Sequence, residues 1–276
     1  MNPAAHKEAL SRAKTAREEL KNCRLCPHNC GVDRTAGQKG FCGIDDKTRC
    51  YREFLYDEEE EGLNPSYQVC LSGCNMRCEF CAVSEWNEQP EEAPFADANK
   101  IKRNIEKRLK EGVKTVSILG GEPAINIHFV LELLGQLKPN VKIVWNTNMY
   151  YNDIVTRLID GLADIYLADL KVGNKTCAKN LTGVSDYFDV VTKNILQAQG
   201  KGRLIIRHVL LPGHTECCLK PILKWIADKI PSAEVSLRGN YFPPAECKKS
   251  PKGYLSAEEY KNAVQIARNL RLNLVK

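Results

Sequence analysis

Apolar and polar residues alternate along this chain in two rhythms. Short runs rich in Val, Ile, Leu and Tyr recur from residue 66 onward: YQVCLS from Tyr67, VKTVSIL from Val113, KIVWNTN from Lys142, DIYLADLK from Asp164, RLIIRHVLL from Arg203 and EVSLRGNY from Glu234. Their length and β-branched content predict strands. Between them the apolar spacing lengthens to the helical period, in NKIKRNIEKRLKEG, NIHFVLELLGQL, YNDIVTRLIDGL, part of SDYFDVVTKNILQAQG, and LKPILKWIADKI. A last helix, SAEEYKNAVQIARNL, opens on Ser256 with Glu259 three residues later, the pattern of a capping box. Strands alternating with helices define an α/β fold with a parallel sheet. Six strands with right-handed crossovers predict a partial parallel βα barrel rather than the closed eight, with its functional rim at the C-terminal strand ends.

The pattern ahead of residue 64 is different. Residues 4 to 21 read as a helix, with Ala9, Leu10, Ala13, Ala16 and Leu20 near helical spacing. The Gly-rich stretch CRLCPHNCGVDRTAGQKGFCG follows and holds Cys23, Cys26, Cys30 and Cys42. An acidic run, Asp57 to Glu61, is expected to be a solvated loop. We therefore expect two parts: an N-terminal helix with a cysteine-rich metal-binding extension over 1–63, and the partial barrel over 64–276.

Composition narrows the setting. The 276 residues, 43% hydrophobic and 27% charged, suit a soluble globule with a substantial core. No segment approaches the ~20 apolar residues of a membrane span, and the first twenty residues carry no secretory apolar core. A cytoplasmic protein with no membrane partner is expected. The net charge of +6 comes from well-mixed charges, which read as a solvated surface rather than a nucleic-acid footprint. Thirteen cysteines, an odd count, argue in a reducing compartment against a disulfide framework and for metal thiolates.

The sharpest signal is LSGCNMRCEFC, which sets Cys74, Cys78 and Cys81 in the loop after the first strand of the repeating pattern. A 4Fe-4S cubane is well held by three thiolates from one short loop. Three ligands leave one iron open, as a catalytic zinc keeps an open position. A zinc knuckle borrowing a distant ligand is the competing reading, but zinc motifs are built from paired C-x2-C elements.

C-x3-C-x2-C with Phe80 before the last cysteine resembles the radical S-adenosylmethionine superfamily. GGEP at Gly120 to Pro123, WNTNMY from Trp145, DLK from Asp169 and RHVLLPGH from Arg207 follow in the same order. Together, over about residues 20 to 245, they are similar to the pyruvate formate-lyase activating enzymes, and most of all to their PflX-type branch. The resemblance implies that the amino and carboxylate groups of S-adenosylmethionine chelate the open iron. One electron then cleaves the cofactor to methionine and a 5'-deoxyadenosyl radical, which abstracts hydrogen from a substrate. It further implies that Gly120 and Gly121 admit backbone carbonyls to the methionine ammonium, that Glu122 adds a charged contact, and that Lys171 and Arg207 meet the carboxylate. Phe80 would stack on the adenine. Asn146 and Thr147 fall where activating enzymes carry Asp-Thr, which together with Asp169 meet the cofactor region and a monovalent cation. Asn146 departs from that pattern and puts the cation site in question, as AVSEWNEQP after Cys81 does for the substrate side.

The implied partners are a reductant such as flavodoxin or ferredoxin, and a protein, peptide or small-molecule substrate, with glycyl-radical enzyme activation as one case. The competing class is a non-catalytic Fe-S or zinc protein, which would have no use for GGEP and DLK. The four N-terminal cysteines form a complete ligand set, for an auxiliary 4Fe-4S cluster or for structural zinc, where His28 could replace a thiol. Cys50, Cys70, Cys177, Cys217, Cys218 and Cys247 are expected to be ordinary buried or surface thiols, and His208 and His214 hydrogen-bonded structural histidines.

Overall fold

A computed structural model describes residues 3–138, 140–245 and 248–275; Cys247 lies outside them. One eight-stranded sheet runs in sequence order: β1 (Cys50–Tyr56), β2 (Ser66–Leu71), β3 (Thr115–Gly120), β4 (Ile143–Thr147), β5 (Ile165–Asp169), β6 (Arg203–Val209), β7 (Glu234–Arg238) and β8 (Asn273–Val275). β1 pairs antiparallel to β2, and every later pair is parallel. The six strands expected from the pattern are β2 to β7, and the sheet gains a strand at each edge. β1, CYREFLY, was hidden because Arg52 and Glu53 interrupt its apolar residues and the strand is only half-buried, so no clean alternation marks it. β8 is three residues long.

The helices are α1 (Pro3–Glu19), α2 (Glu85–Glu88), α3 (Ala98–Lys110), α4 (Ile127–Leu134), α5 (Asp153–Ile159), α6 (Lys175–Thr182), α7 (Tyr187–Ala198), α8 (Lys220–Lys229) and α9 (Ala257–Asn269). Ser256 and Glu259 form the expected capping box of α9. Ala9, Ala13, Ala16 and Leu20 are buried in the main core, at steps of about one helical turn. Leu10, also on the expected face, is exposed instead. Small side chains let α1 lie close against α4, and the Arg17 to Glu132 ion pair (2.9 Å) spans their edge. Among the described residues no helix is long and apolar enough to cross a membrane.

Period-two alternation in the strands separates two faces. Trp145, Tyr166 and Ile206 join the main core, whereas Val144, Ile165, Leu167 and Ile205 form a separate inner cluster with Leu63. Continuing along that inner face toward the C-terminal strand ends, the same alternation reaches Asn146, Asp169 and Arg207. The barrel interior is thus apolar at one end and charged at the other.

The acidic run is solvated only in part: Asp57, Glu58 and Glu61 are exposed, but the two residues between them are not. Glu59 and Glu60 are buried and stand 3.5 and 3.7 Å from Arg207; Ser236 donates to Glu60 (3.0 Å) and Gln68 to Glu59 (3.2 Å). An interior cation needs anions, and the connection from β1 to β2 supplies them. Removing one partner of a buried ion pair costs about 3 to 5 kcal/mol, so Glu60→Ala should lower the midpoint of urea unfolding strongly. A solvent-facing Glu58→Ala change should leave it in place.

Candidate active site

A cavity of about 480 Å³ opens at the C-terminal ends of β2 to β6. Cys74, Cys78, Phe80, Cys81, Gly120, Gly121, Glu122, Asn146, Thr147, Asp169, Lys171 and Arg207 all line it. Residues spread over more than a hundred positions of sequence therefore meet in one place, because parallel strands deliver their following loops to one edge.

The cysteine loop is held from three sides. Arg77 and Glu79 donate their backbone N–H groups to Thr182 (3.0 Å) and Leu181 (2.9 Å) at the end of α6. Asn148, from the loop after β4, donates to Asn75 Oδ1 (2.9 Å), and Asn75 donates to the Tyr150 carbonyl. His28 Nε2 lies 2.9 Å from the Asn75 carbonyl and its ring stacks on Phe41 at 3.8 Å. His28 is thereby occupied as a structural contact. Burial drives the Cys74 thiol far above its ordinary range and Cys78 to about 12, although Lys171 opposes the latter. Ionisation here awaits a positive charge such as bound metal supplies.

Glu122 is fully buried. Its carboxylate accepts from the Ala124 N–H (2.9 Å), the Thr147 hydroxyl (2.7 Å) and the Asn148 N–H (2.8 Å). Burial dominates those contacts and pushes its carboxyl up to about 7, and among the described residues it has no ion-pair partner. Asp169 behaves oppositely. Burial alone would raise it, but Lys171 (2.6 Å) and Arg207 (2.9 Å) outweigh that and hold it down at about 2. Arg207 also donates to Asn146 Oδ1 (2.6 Å). Both cations at the cavity are thus already engaged by protein oxygens.

Gly120 and Gly121 have a packing reason beyond any ligand. A Cβ on Gly121 would lie 1.9 Å from the Gly73 carbonyl oxygen, and one on Gly120, whose φ is +127°, 2.1 Å from that of Leu71. These glycines let the end of β3 press against the start of the cysteine loop. Asn148 and Asn87 also line the cavity and were not picked out from sequence. Asn87 donates to Cys81 Sγ (3.3 Å), and its Oδ1 is buried without a partner. A single polar residue gives no periodic signal, so only the fold reveals them.

The four N-terminal cysteines also converge. Cys26 is raised to about 12 by burial first and then by Cys42, Cys23 and Cys30, while the Arg34 guanidinium, fully buried, tempers Cys42. All twelve described cysteines are free. His208 is a buried structural histidine, its Nδ1 2.8 Å from the Leu170 carbonyl. Cys177, His214, Cys217 and Cys218, expected as ordinary thiols and a structural histidine, lie together, with their donor atoms within 4.8 Å of one another.

A parallel βα barrel with a thiol-lined cavity at its strand ends has the architecture of a barrel enzyme with its site on the C-terminal rim. The family model of the radical SAM superfamily matches residues 69–226, more than half of the chain, and the chain belongs to that superfamily. Uncharacterized protein MJ0674 of Methanocaldococcus jannaschii is 32% identical over 274 residues, covering 96% of this chain and 79% of that protein. Among solved structures, a radical SAM methyltransferase from Sphaerobacter thermophilus has a TM-score of 0.56 at 15% identity, over 83% of this chain and 76% of that one. SuiB of Streptococcus suis, bound to its precursor peptide SuiA, has a TM-score of 0.52 at 20% identity, over 73% of this chain and 46% of SuiB. The chain thus spans about half of SuiB, and at these identities the likeness to both structures is one of fold. Membership implies a 4Fe-4S cluster and S-adenosylmethionine.

The close approach at Gly121 is testable. Gly121→Ala should destabilise the fold by about 1 to 3 kcal/mol, the usual cost of overpacking, and displace the loop that bears Cys74. Gly253→Ala, where nothing lies within 4 Å of the added carbon, should leave the unfolding midpoint within error. Equal midpoints for the two variants would contradict the contact.

Proposed function

We propose that this protein uses Cys74, Cys78 and Cys81 to hold a 4Fe-4S cluster with one open iron, and the surrounding cavity to bind S-adenosylmethionine. When bound, cluster and cofactor supply a 5'-deoxyadenosyl radical for hydrogen abstraction. The observation that carries this reading is the convergence of the three thiols with Glu122, Asn146, Asp169, Lys171 and Arg207 on one cavity. Three cysteines in one loop suit three corners of a cubane. Glu122, a buried carboxyl with no ion-pair partner among the described residues, suits a ligand ammonium. Lys171, shared with Asp169, can turn toward a ligand carboxylate, while Arg207 keeps Asp169 ionised. Phe80 offers an aromatic face for a base. The net charge of +6 favours an acidic electron donor such as a flavodoxin or ferredoxin.

The cavity mouth is aromatic. Phe54, Tyr56 and Phe242 border it, and Phe242, 69% exposed, meets Tyr254 edge-on at 5.7 Å. Exposed aromatics beside a reactive pocket are suited to gripping a polypeptide segment. We therefore favour a protein or peptide substrate, of the general kind SuiB binds, with a glycyl-radical enzyme as one candidate. The four converging cysteines of the N-terminal extension, within residues 1–63, would hold a second, coordinatively closed 4Fe-4S cluster beside the first loop.

Anaerobically reconstituted Cys78→Ala should form no 5'-deoxyadenosine on reduction, and unchanged cleavage would overturn the assignment. Iron analysis of the Cys74→Ala, Cys78→Ala, Cys81→Ala triple variant tests the second cluster: about four irons per chain support it, and none would remove it.

Glu122 gives a pH signature. Its carboxyl titrates at about 7 in the free protein, and a bound cation favours the ionised form and lowers that value. Binding below about pH 7 must then expel a proton, so affinity should weaken as pH falls through 7 and level off above it. Glu122→Gln should remove this component of the slope. Identical slopes in wild type and variant, from titration of the cluster's spectral response, would show that the carboxylate does not face the ligand.

A further inference from the structure

Cys177, His214, Cys217 and Cys218 form a ligand set apart from both cysteine clusters already described. None of the four lines the active-site cavity. His214 Nδ1 lies 3.8 Å from Cys177 Sγ, 3.3 Å from Cys217 Sγ and 3.7 Å from Cys218 Sγ. All four donor atoms fall within 4.8 Å of one another, and among the described residues this is the group that does so.

Local structure explains three of the four. Residues Thr215–Leu219 make one wide π-helical turn at the head of α8, with the Cys218 and Leu219 N–H groups both bonded to the His214 carbonyl (3.0 and 3.2 Å). Side chains three and four residues apart share a helical face, so His214, Cys217 and Cys218 point to one place although the two cysteines are adjacent in sequence. π-turns inside helices are often found at functional sites. The fourth comes from another element. Cys177 stands in the first turn of α6, whose cap Asn174 accepts from the Cys177 N–H (2.8 Å) and donates to Cys177 Sγ (3.2 Å). The Asn174 side chain thus fixes the direction of the Cys177 sulfur from outside the group, as the outer hydrogen-bond partners of metal ligands do.

The dimensions discriminate among occupants. Zinc binds sulfur at about 2.3 Å and imidazole nitrogen at about 2.0 to 2.1 Å, so a tetrahedral ion sets each nitrogen-to-sulfur edge at about 3.5 Å. The three edges here, at 3.3, 3.7 and 3.8 Å, bracket that value. A space this small takes one ion and not a cluster of irons. Three cysteines and one histidine are a closed donor set of the structural zinc type, with no position left for water.

We propose that Cys177, His214, Cys217 and Cys218 bind a single structural zinc ion. The ion would join the connection after β5 to the connection after β6. The first already lies close against the second, since a Cβ on Gly173 would come within 2.6 Å of the Cys218 carbonyl oxygen. It carries Lys171 just upstream, and α6 carries the Leu181 and Thr182 carbonyls on which the Cys74 to Cys81 loop hangs. A zinc at the start of α6 therefore braces both the cation and the thiol loop of the active-site cavity from outside it.

The test is metal analysis of the full-length protein with X-ray absorption at the zinc edge, to which iron is silent. The expected result is about one zinc per chain with three sulfur neighbours and one nitrogen. The Cys177→Ser, Cys217→Ser double variant, chosen because both side chains are only partly buried, should lose that zinc while its circular dichroism remains that of a folded chain. His214→Cys should keep the zinc and shift its shell to four sulfurs. A protein without zinc, a zinc that survives the double variant, or a disulfide between Cys177 and Cys217 or Cys218 found by mass mapping of the native chain would each overturn the proposal.

Discussion

The guanidinium of Arg207 lies inside the barrel with oxygen partners on every side: Asp169 at 2.9 Å, Asn146 at 2.6 Å, and the carboxylates of Glu59 and Glu60 at 3.5 and 3.7 Å. An interior cation of this kind is stable only with its anions in place, so three segments are fixed by it. The end of β5 must present Asp169, the end of β4 must present Asn146, and the connection from β1 must enter the barrel to deliver Glu59 and Glu60. That last requirement explains why an antiparallel strand is added at the edge of a parallel sheet: it returns the chain to the barrel's closed end. Asp169, held ionised, in turn positions Lys171 at the cavity.

Around that charged interior, the thiol loop from Cys74 to Cys81 is suspended rather than self-supporting. It is held at its Asn75 carbonyl by His28 of the N-terminal segment, accepts from Asn148 of the loop after β4, and donates its own N–H groups to the Leu181 and Thr182 carbonyls at the end of α6. A loop with little regular structure of its own has few internal partners for its backbone groups, and neighbours must supply them. The N-terminal segment therefore backs the loop, with His28 at the Asn75 carbonyl and the Phe41 carbonyl accepting from Arg77, which places the Cys23 to Cys42 segment beside the loop.

The three groups of cysteines differ in how they are assembled. Cys74, Cys78 and Cys81 come from one loop, Cys23, Cys26, Cys30 and Cys42 from one Gly-rich segment, and the Cys177 group from two elements joined only by the fold. The first two arrangements are local and survive as spacing in the sequence. The third depends on α6 and the turn before α8 coming together over the strand ends, and its compact size separates it chemically from a polynuclear site.

The sequence by itself determined the six central strands and most of the helices, because apolar periodicity reflects which face of each element is buried. It also marked the thiol loop and, through the family resemblance, the Gly120 to Glu122, Asp169 to Lys171 and Arg207 positions that line the cavity. Tertiary structure decided what periodicity cannot encode. Glu59 and Glu60 read as solvated charges because their partner, Arg207, lies far along the chain. Gly120 and Gly121 read as room for a ligand because the backbone of Leu71 and Gly73 behind them is not visible in a linear string. His214, Cys217 and Cys218 already stood at i, i+3 and i+4, a pattern that points three donors one way, yet without Cys177 opposite they made an incomplete set. Burial, charge pairing and metal geometry are properties of what surrounds a side chain, and only the folded chain specifies the surroundings.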